Sequence, residues 1–293
     1  MTHVVLGAGQ TGRPLAAALA AAGLGVRVVS RTRPAGLPAG AEHRGADLTD
    51  VDATIAACAG ASVVYHTAGA PVPQWDRAFP AVMASVLAGA AAASARLVYL
   101  DNLYAFGPPE GAITEASPPN PVEAKGRLRL HLAELVLGAA GRGDLPGATV
   151  AHAADFFGPG VRNSVPGALV LRAVEAGKVP RWPVALDEAH SLAYTPDVAA
   201  ALAAIGASAG WSGARRRIIA AQAPTGREFL AAAGGRPGAV LSLAALRVAG
   251  IFSRGARDLA GLAWQYDRPY VADGTLLRQE TGLVPTPLAV ALA

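Results

Sequence analysis

The feature that most constrains this chain is a glycine motif that separates a strand-like run from a helix-like run near its start. Residues 2–6 form a short apolar run, Gly-Ala-Gly-Gln-Thr-Gly occupies positions 7–12, and an alanine-rich helical segment covers 14–22. In this context the first glycine permits a tight turn, the second lets the backbone approach a pyrophosphate, and the third lets the helix pack on the strand. The helix N-terminus adds free N–H groups. The sequence therefore predicts a dinucleotide site, with these phosphate-binding residues: Gly7, Gly9, Gln10, Thr11 and Gly12.

The end of the second predicted strand, Val26–Val29, indicates which dinucleotide is bound. Enzymes that use NAD place an Asp or Glu there, where it holds the ribose 2′-hydroxyl. This chain has Ser30, Arg31 and Arg33 at that place and no carboxylate. A guanidinium group suits a 2′-phosphate because it forms bidentate, charge-assisted hydrogen bonds. We therefore expect NADP(H) in preference to NAD(H); the alternative is that both arginines are ordinary solvated loop residues.

Composition excludes several other classes of protein. The chain has 293 residues and a single cysteine, Cys58, which fits a reducing, cytoplasmic compartment. Hydrophobic residues make up 52% of it, but the uncharged run Ala78–Ala95 is dominated by Ala, Gly and Ser and contains Pro80. We expect a helix buried against a sheet there and no membrane partner. The tight basic run Arg215–Arg217 lacks interleaved aromatic residues, so we expect a solvated strand edge and no nucleic-acid partner.

Apolar runs alternate with helical stretches through the first half of the chain. The predicted strands are Val4–Leu6, Val26–Val29, Ser62–Tyr65, Leu97–Leu100 and Thr149–His152, and the predicted helices are Pro14–Ala22, Val51–Ala59, Ala78–Ala93 and Lys125–Ala140. Such alternation predicts an α/β fold with a doubly wound parallel sheet. After about residue 157 the alternation stops, and Gly, Pro and Trp become frequent. We expect a dinucleotide-binding domain over 1–157 and a smaller substrate-binding lobe over 158–293, with about 190–222 returning to the main sheet.

The order of motifs resembles the extended short-chain dehydrogenase/reductase family, whose members are often described as NAD(P)-dependent epimerase/dehydratase-like. The segments that carry the resemblance span nearly the whole chain: Gly7–Gly12, Gly45–Leu48, His66–Gly69, Leu97–Pro108, Lys125, Asp155–Gly160, Tyr194–Ala199 and Gly282–Pro287. Each segment alone is weak evidence for the family, but their order and spacing together indicate it. The resemblance implies a Rossmann fold with a smaller C-terminal substrate-binding lobe.

The resemblance also implies roles for residues beyond the glycine motif. Asp47 and Leu48 match the segment that contacts the adenine, and Thr67 and Ala68 match the turn that passes along the cofactor ribose. Phe156 matches the segment that leaves a strand beside the nicotinamide. An alternative for Asp47 is that its carboxylate caps the helix that begins near residue 50.

The catalytic residues are where this chain departs from its relatives. Those enzymes use Tyr-x-x-x-Lys, in which Lys lowers the phenol pKa and holds the nicotinamide ribose. Lys125 matches that lysine and is one of only two lysines in the chain, but Pro121 stands where the tyrosine is expected. Asn102 occupies the usual Ser/Thr position and could hydrogen-bond a substrate carbonyl. Tyr104 is the candidate proton donor, and we expect a nearby Lys ammonium to favour its ionised form. The alternatives are that Tyr104 packs beneath the cofactor and that Asn102 ends the strand in a turn.

Three functions fit these residues. The first is an NADP(H)-dependent oxidoreductase that moves a hydride between nicotinamide and a small, apolar carbonyl or alcohol. The second is an epimerase or dehydratase with a tightly held NAD(P). The third is a binding protein that senses NADP(H) and has lost catalysis, which the departure at Pro121 favours. No cluster of residues has metal-ligand spacing. A homodimer through the predicted helices Ala78–Ala93 and Lys125–Ala140 is a further expectation.

Overall fold

The structure is a computed structural model that describes residues 1–208, 211–219, 221–234 and 238–293, with only the backbone described at Val72. Its strands are β1 (Thr2–Leu6), β2 (Gly25–Ser30), β3 (Glu42–Gly45), β4 (Ala61–His66), β5 (Arg96–Asn102), β6 (Gly147–Ala153), β7 (Asp155–Phe157), β8 (Arg181–Pro183), β9 (Leu192–Tyr194), β10 (Gly213–Ile218) and β11 (Ala239–Leu241). Its α-helices are α1 (Gly12–Ala21), α2 (Val51–Cys58), α3 (Trp75–Ala92), α4 (Ala124–Gly141), α5 (Arg172–Glu175), α6 (Thr195–Ala207), α7 (Gly226–Ala233), α8 (Leu243–Phe252), α9 (Arg254–Gly261), α10 (Thr275–Thr281) and α11 (Leu288–Ala291). Short 3₁₀ turns cover Val72–Gln74, Tyr104–Phe106 and Ala263–Gln265, and a π-helical turn covers Pro166–Leu171.

Seven strands form one parallel sheet in the order β10-β6-β5-β4-β1-β2-β3. The order reverses direction at β1, as in a doubly wound sheet, where ligands bind beyond the carboxyl ends of the strands. The predicted fold class is therefore confirmed.

The five strands and four helices predicted from the sequence are all present, with boundaries that differ by a few residues. Helix α1 begins at Gly12 and α3 at Trp75, each slightly earlier than expected. Strand β3 was not predicted because its sequence, Glu-His-Arg-Gly, is polar and it lies at the exposed edge of the sheet. The arginine run 215–217 lies in β10 at the opposite edge, which confirms the strand edge. The expectation that this edge is solvated is wrong, because all three arginines are half-buried and Arg217 pairs with Glu280.

Both faces of the sheet are covered by helices. Successive side chains of a strand point to opposite faces, so the apolar strands need a cover on each side. On one face, Val5, Val28 and Val98 pack with residues of α1 and α6. On the other, Val4, Val29 and Leu97 pack with residues of α2, α3 and α4. The uncharged run that begins at Ala78 belongs to α3, which turns Phe79 and Met83 into this second core. In the described ranges, no helix combines the length and hydropathy that a membrane span needs.

A third, smaller core lies in the second half of the chain. It contains Phe157, Trp182, Phe229 and Tyr266, and two-stranded pairings of β7 with β9 and of β8 with β11 lie in the same region. Strand β10 pairs with β6, and α6 packs in the core that contains Val5, Val28 and Val98. The division of the chain at residue 157 stays a prediction.

A buried ion pair lies beneath the carboxyl end of β5. The Arg129 Nε lies 2.6 Å from the Asp101 Oδ1, and the side chains are 10% and 0% exposed. The Arg129 guanidinium also faces the aromatic rings of Phe79, at 4.8 Å, and Tyr99, at 5.9 Å. Burial of a charge is costly unless a partner compensates it, so each member of this pair depends on the other.

Replacing Asp101 with Ala is expected to lower the free energy of unfolding by about 3–5 kcal/mol, because it leaves a buried guanidinium without its counter-charge. Urea unfolding followed by circular dichroism measures the change. Asp144→Ala is the matched control: it breaks the exposed pair with Arg142, whose side chains are 49% and 66% exposed, and should cost less than about 1 kcal/mol. Equal losses in the two variants would contradict this account of the ion pair.

Candidate functional site

The carboxyl ends of three neighbouring strands are aligned at one edge of the sheet. Leu6, the last residue of β1, is in register with Val29 of β2 and with His66 of β4. Gly7 therefore lies level with the end of β2, and its N–H donates a hydrogen bond of 2.9 Å to the Val29 carbonyl. The Thr67 N–H makes the same kind of bond to the Leu6 carbonyl, also at 2.9 Å. The residues predicted to contact phosphate and ribose therefore follow strands whose carboxyl ends are level with one another.

Two glycines of the turn after β1 are required by the protein's own packing. Gly7 has a φ of +103°, and a Cβ there would lie 2.6 Å from the Cα of Ala68. A Cβ on Gly12 would lie 1.8 Å from the carbonyl oxygen of Gly7, so only glycine lets α1 start this close to the turn. The Thr67 hydroxyl supports the same turn by donating to the Gly7 carbonyl at 3.1 Å.

Gly9 is different, because neither packing nor a positive φ requires glycine there. A Cβ on Gly9 would meet no described atom within 4 Å. The adjacent N-terminus of α1 has no side-chain cap at Thr11 and no acidic residue in its first turn. Open space beside a glycine backbone, together with uncapped helix N–H groups, is the arrangement that a pyrophosphate requires. The residues present therefore fit a dinucleotide.

The end of β2 presents unpaired positive charge. Arg31 and Arg33 are exposed, and neither forms an ion pair within the part of the chain that the structure describes. The Ser30 hydroxyl is turned back, donating to the Thr32 carbonyl at 2.8 Å.

Asp47, which follows β3 and is predicted to contact the adenine, is exposed, and Leu48 beside it is buried. Asp47 accepts hydrogen bonds from the Thr49 N–H and hydroxyl, at 3.0 and 2.9 Å, which hold the pKa of its carboxyl below the usual value, with a smaller effect of Arg31. The alternative that Asp47 caps the following helix is wrong, because Asp50 is the residue that caps α2, through the Ala53 N–H at 3.0 Å.

Tyr104 and Lys125 are brought together through their backbones. A Cβ on Gly126 would lie 2.5 Å from the Tyr104 carbonyl oxygen, so the first turn of α4 packs directly on the segment that holds Tyr104. Glu123 caps this helix by accepting hydrogen bonds from the Lys125 and Gly126 N–H groups, both at 2.6 Å. The Lys125 ammonium itself pairs with Asp258 of α9, at 2.9 Å.

The expectation that a Lys ammonium favours the ionised form of Tyr104 is wrong. Burial raises the pKa of the Tyr104 phenol well above its ordinary value, and the negative charge of Asp155 raises it further. Arg129 opposes this increase only in part. The Lys125 charge is neutralised by Asp258 instead. The Tyr104 phenol is therefore held neutral, as a hydrogen-bond donor.

Asn102 ends β5 in a turn, as the alternative interpretation expected. Its side-chain oxygen accepts a hydrogen bond from the Tyr104 N–H at 3.1 Å, and its backbone carbonyl lies 2.9 Å from the His152 Nδ1. Phe156 is half-buried and packs against the core that contains Val5 and Val98. The catalytic roles of Asn102, Tyr104 and Lys125 stay predictions, as do the cofactor contacts of the residues described above.

Sequence reasoning missed two polar residues that lie at the same edge. The Tyr266 hydroxyl donates to Asp155 Oδ2 at 2.5 Å, and the His190 Nε2 lies 3.2 Å from the same oxygen. Tyr266 and His190 stack, with ring centroids 4.4 Å apart. No local motif marks them, because the three residues are far apart in the chain.

Comparisons with known proteins place this geometry in a family. Solved structures with similar folds include MoeE5 in complex with UDP-glucose and NAD, 23% identical over 100% of this chain and 96% of that one, with a TM-score of 0.78. UDP-glucuronic acid 4-epimerase from Bacillus cereus in complex with NAD is 15% identical over 100% and 96%, with a TM-score of 0.77, and gox2253 is 19% identical over 99% and 95%, with a TM-score of 0.80.

No curated protein sequence matches the chain. The family described as the NAD dependent epimerase/dehydratase family matches residues 3–214, which is more than half of the chain. With the glycine turn, the uncapped first helix and the aligned strand ends described above, this match shows that the chain belongs to the NAD dependent epimerase/dehydratase family.

Proposed function

We propose that this protein is an oxidoreductase that uses NADP(H) to interconvert a small, apolar carbonyl compound and its alcohol. The observation that carries the proposal is the space beside Gly9 at the uncapped start of α1, on the sheet edge that also holds Tyr104 and Asp155. When bound there, the nicotinamide supplies or accepts a hydride. The glycine turn binds and orients the coenzyme, and the polar groups at the ends of β5 and β6 transfer the proton.

The choice of NADP(H) is supported by the end of β2. Arg31 and Arg33 offer exposed guanidinium groups, and no carboxylate occupies the place where an NAD enzyme holds the ribose 2′-hydroxyl. Several fold neighbours are described in complex with NAD, so the two coenzymes must be compared directly.

The apolar substrate is supported by the surroundings of Tyr104. The Trp75 ring lies 6.4 Å from the Tyr104 ring and packs edge-on against Phe79. The Arg129 guanidinium, which lies 5.3 Å from the Trp75 ring centroid, is already paired with Asp101 in the core. A large anionic substrate needs cationic side chains to bind it, and the aromatic rings of Trp75 and Phe79 supply none.

Epimerisation or dehydration is the second candidate, because the family is named for those reactions and neighbours are described with UDP sugars. Both candidates require the same bound dinucleotide. They differ in whether the coenzyme is consumed: an oxidoreductase changes the redox state of its coenzyme in every turnover, and an epimerase restores it.

Two glycine variants separate cofactor binding from folding. Gly9→Ala should leave the melting temperature unchanged, because its Cβ enters open space, yet it should weaken NADP(H) binding at least about 10-fold by blocking the pyrophosphate. Gly12→Ala should instead destabilise the fold by about 3 kcal/mol through overlap with the Gly7 carbonyl. Differential scanning fluorimetry and isothermal titration calorimetry measure the two effects. Unchanged NADP(H) affinity in a folded Gly9→Ala variant would reject this location of the pyrophosphate.

Arg31→Ala tests the choice of coenzyme. Loss of a charge-assisted hydrogen bond to the 2′-phosphate should weaken NADP⁺ binding by about 10- to 100-fold. NAD⁺ lacks that phosphate, so its dissociation constant should change less than about twofold. Arg227→Ala, at an exposed arginine paired with Asp187 away from this strand end, is the control. Tighter binding of NAD⁺ than of NADP⁺ to the wild-type protein would contradict the proposal.

Tyr104→Phe tests the reaction. With NADPH and a panel of apolar ketones and aldehydes, the wild-type protein should consume coenzyme steadily, and the variant should lose about 10- to 100-fold in kcat because the carbonyl loses a hydrogen-bond donor. Coenzyme affinity should be retained. Product formed without net coenzyme turnover would favour the epimerase, and binding without any turnover would favour a sensor; either result rejects the oxidoreductase.

A further inference from the structure

Asp155 lies next to the position that the proposed reaction would use. Asn102 at the end of β5 is in register with Ala153 at the end of β6, and Tyr104 and Asp155 each follow two residues later. Both side chains therefore emerge at the same edge of the sheet. The influence of the Asp155 charge on the pKa values of Tyr104 and Tyr266 agrees with this proximity.

One oxygen of Asp155 is fully occupied, and the other is available. Oδ2 accepts from the Tyr266 hydroxyl at 2.5 Å and contacts the His190 Nε2 at 3.2 Å. Among the described residues no donor reaches Oδ1, and the side chain is 15% exposed. A carboxylate can accept about four hydrogen bonds, so Oδ1 retains capacity for a substrate hydroxyl.

The His190 ring is placed so that it shares a proton with Asp155. Its Nδ1 lies 3.0 Å from the Gln265 carbonyl, which can only accept, so Nδ1 carries a hydrogen. Its Nε2 faces Asp155 Oδ2, so the contact needs one proton, either on the nitrogen or on the oxygen. The ring is 1% exposed and lies parallel to Tyr266, at 9°. Its orientation is therefore fixed.

The other two candidates for proton transfer are less suitable. Tyr104 would have to ionise beside the Asp155 charge, and two adjacent anions in a buried site disfavour each other. The Lys125 ammonium pairs with Asp258 at 2.9 Å. Pro121, which stands where the tyrosine of related enzymes is expected, carries no acidic proton. Asp155 combines one oxygen that no described donor reaches, a second oxygen held by two contacts, and a neighbouring imidazole.

We propose that Asp155 exchanges the proton with the substrate oxygen, in place of the tyrosine that Pro121 replaces, and that Tyr266 and His190 are its positioning residues. This inference rests on the proposed oxidoreductase function. In alcohol oxidation, the O–H bond breaks and its proton moves to the Asp155 carboxylate. The C–H bonding pair leaves as a hydride to the nicotinamide, and the C=O bond forms. Reduction follows the same path in reverse.

Asp155→Asn tests this assignment, because it keeps the size and a hydrogen-bond acceptor but cannot take up the proton. With NADP⁺ and a panel of small primary and secondary alcohols, kcat should fall by about 10²- to 10⁴-fold. The dissociation constant for NADP⁺ should stay within about twofold. Asp267→Asn, at a neighbouring residue whose carboxylate pairs with exposed Arg268, is the matched control and should retain its kcat.

Tyr266→Phe distinguishes positioning from a purely structural role. Removing the hydroxyl takes away one of the two groups that contact Oδ2, so the kcat–pH profile for alcohol oxidation should move along the pH axis. The titratable and charged groups around this pair are Tyr104, Tyr270, His190, Glu123 and Arg129. A variant that only loosened the fold would lower the melting temperature without moving the profile.

A readout without coenzyme or substrate completes the test. Tyrosinate absorbance at about 295 nm reports when phenols ionise, and the Asp155 charge raises the pKa values of Tyr104, Tyr266 and Tyr270. In ligand-free Asp155→Asn these phenols stay buried but lose the neighbouring charge, so the last part of the tyrosinate titration should move to lower pH than in the wild type. Circular dichroism confirms that the fold is intact.

The outcomes separate the two proposals. An Asp155→Asn variant that keeps its kcat within about threefold, or whose tyrosinate titration does not move at any pH, overturns the role of Asp155 and leaves the oxidoreductase standing. A wild-type protein that binds NADP⁺ but oxidises no alcohol and reduces no carbonyl overturns both.

Discussion

The contact between Gly7 and Gly12 is the constraint on which the rest of the site depends. A Cβ on Gly12 would overlap the Gly7 carbonyl, so the start of α1 can reach the end of β1 only with glycine at that position. The start of α1 has no side-chain cap, a Cβ on the nearby Gly9 would meet open space, and the Thr67 hydroxyl holds the turn from the neighbouring strand. The proposed position of the pyrophosphate follows from this geometry.

The parallel sheet then brings separate chemistry to the same edge. The register of β5 with β6 places Tyr104 and Asp155 together, and the C-terminal residues add Tyr266 and His190. The Asp101–Arg129 pair occupies the core nearby, so the guanidinium that is buried among the described residues is committed to the fold. The proposed site thus combines the glycine turn with a carboxylate whose Oδ1 no donor reaches among the described residues. We propose that this carboxylate acts in place of the tyrosine expected at Pro121.

The parts of the fold that the sequence could predict are those set by local pattern. The apolar strands, the helices between them and the glycine turn all follow from residues close together in the chain. Strand β3 was missed because its polar residues lack the apolar pattern. Tyr266 lies 111 residues from Asp155, and only tertiary folding brings the two together. For the same reason the partner of Lys125 was unforeseen, and the ionisation of Tyr104 was predicted in the wrong direction.

Amide hydrogen exchange with and without NADP(H) tests the central claim most directly, because it reports on the backbone N–H groups themselves. If the pyrophosphate lies against the start of α1, exchange at Gln10, Thr11 and Gly12 should slow markedly when NADP(H) binds, while the amides of the opposite, N-terminal edge of the sheet stay unchanged. Binding of the coenzyme with no added protection at these three amides would contradict the account.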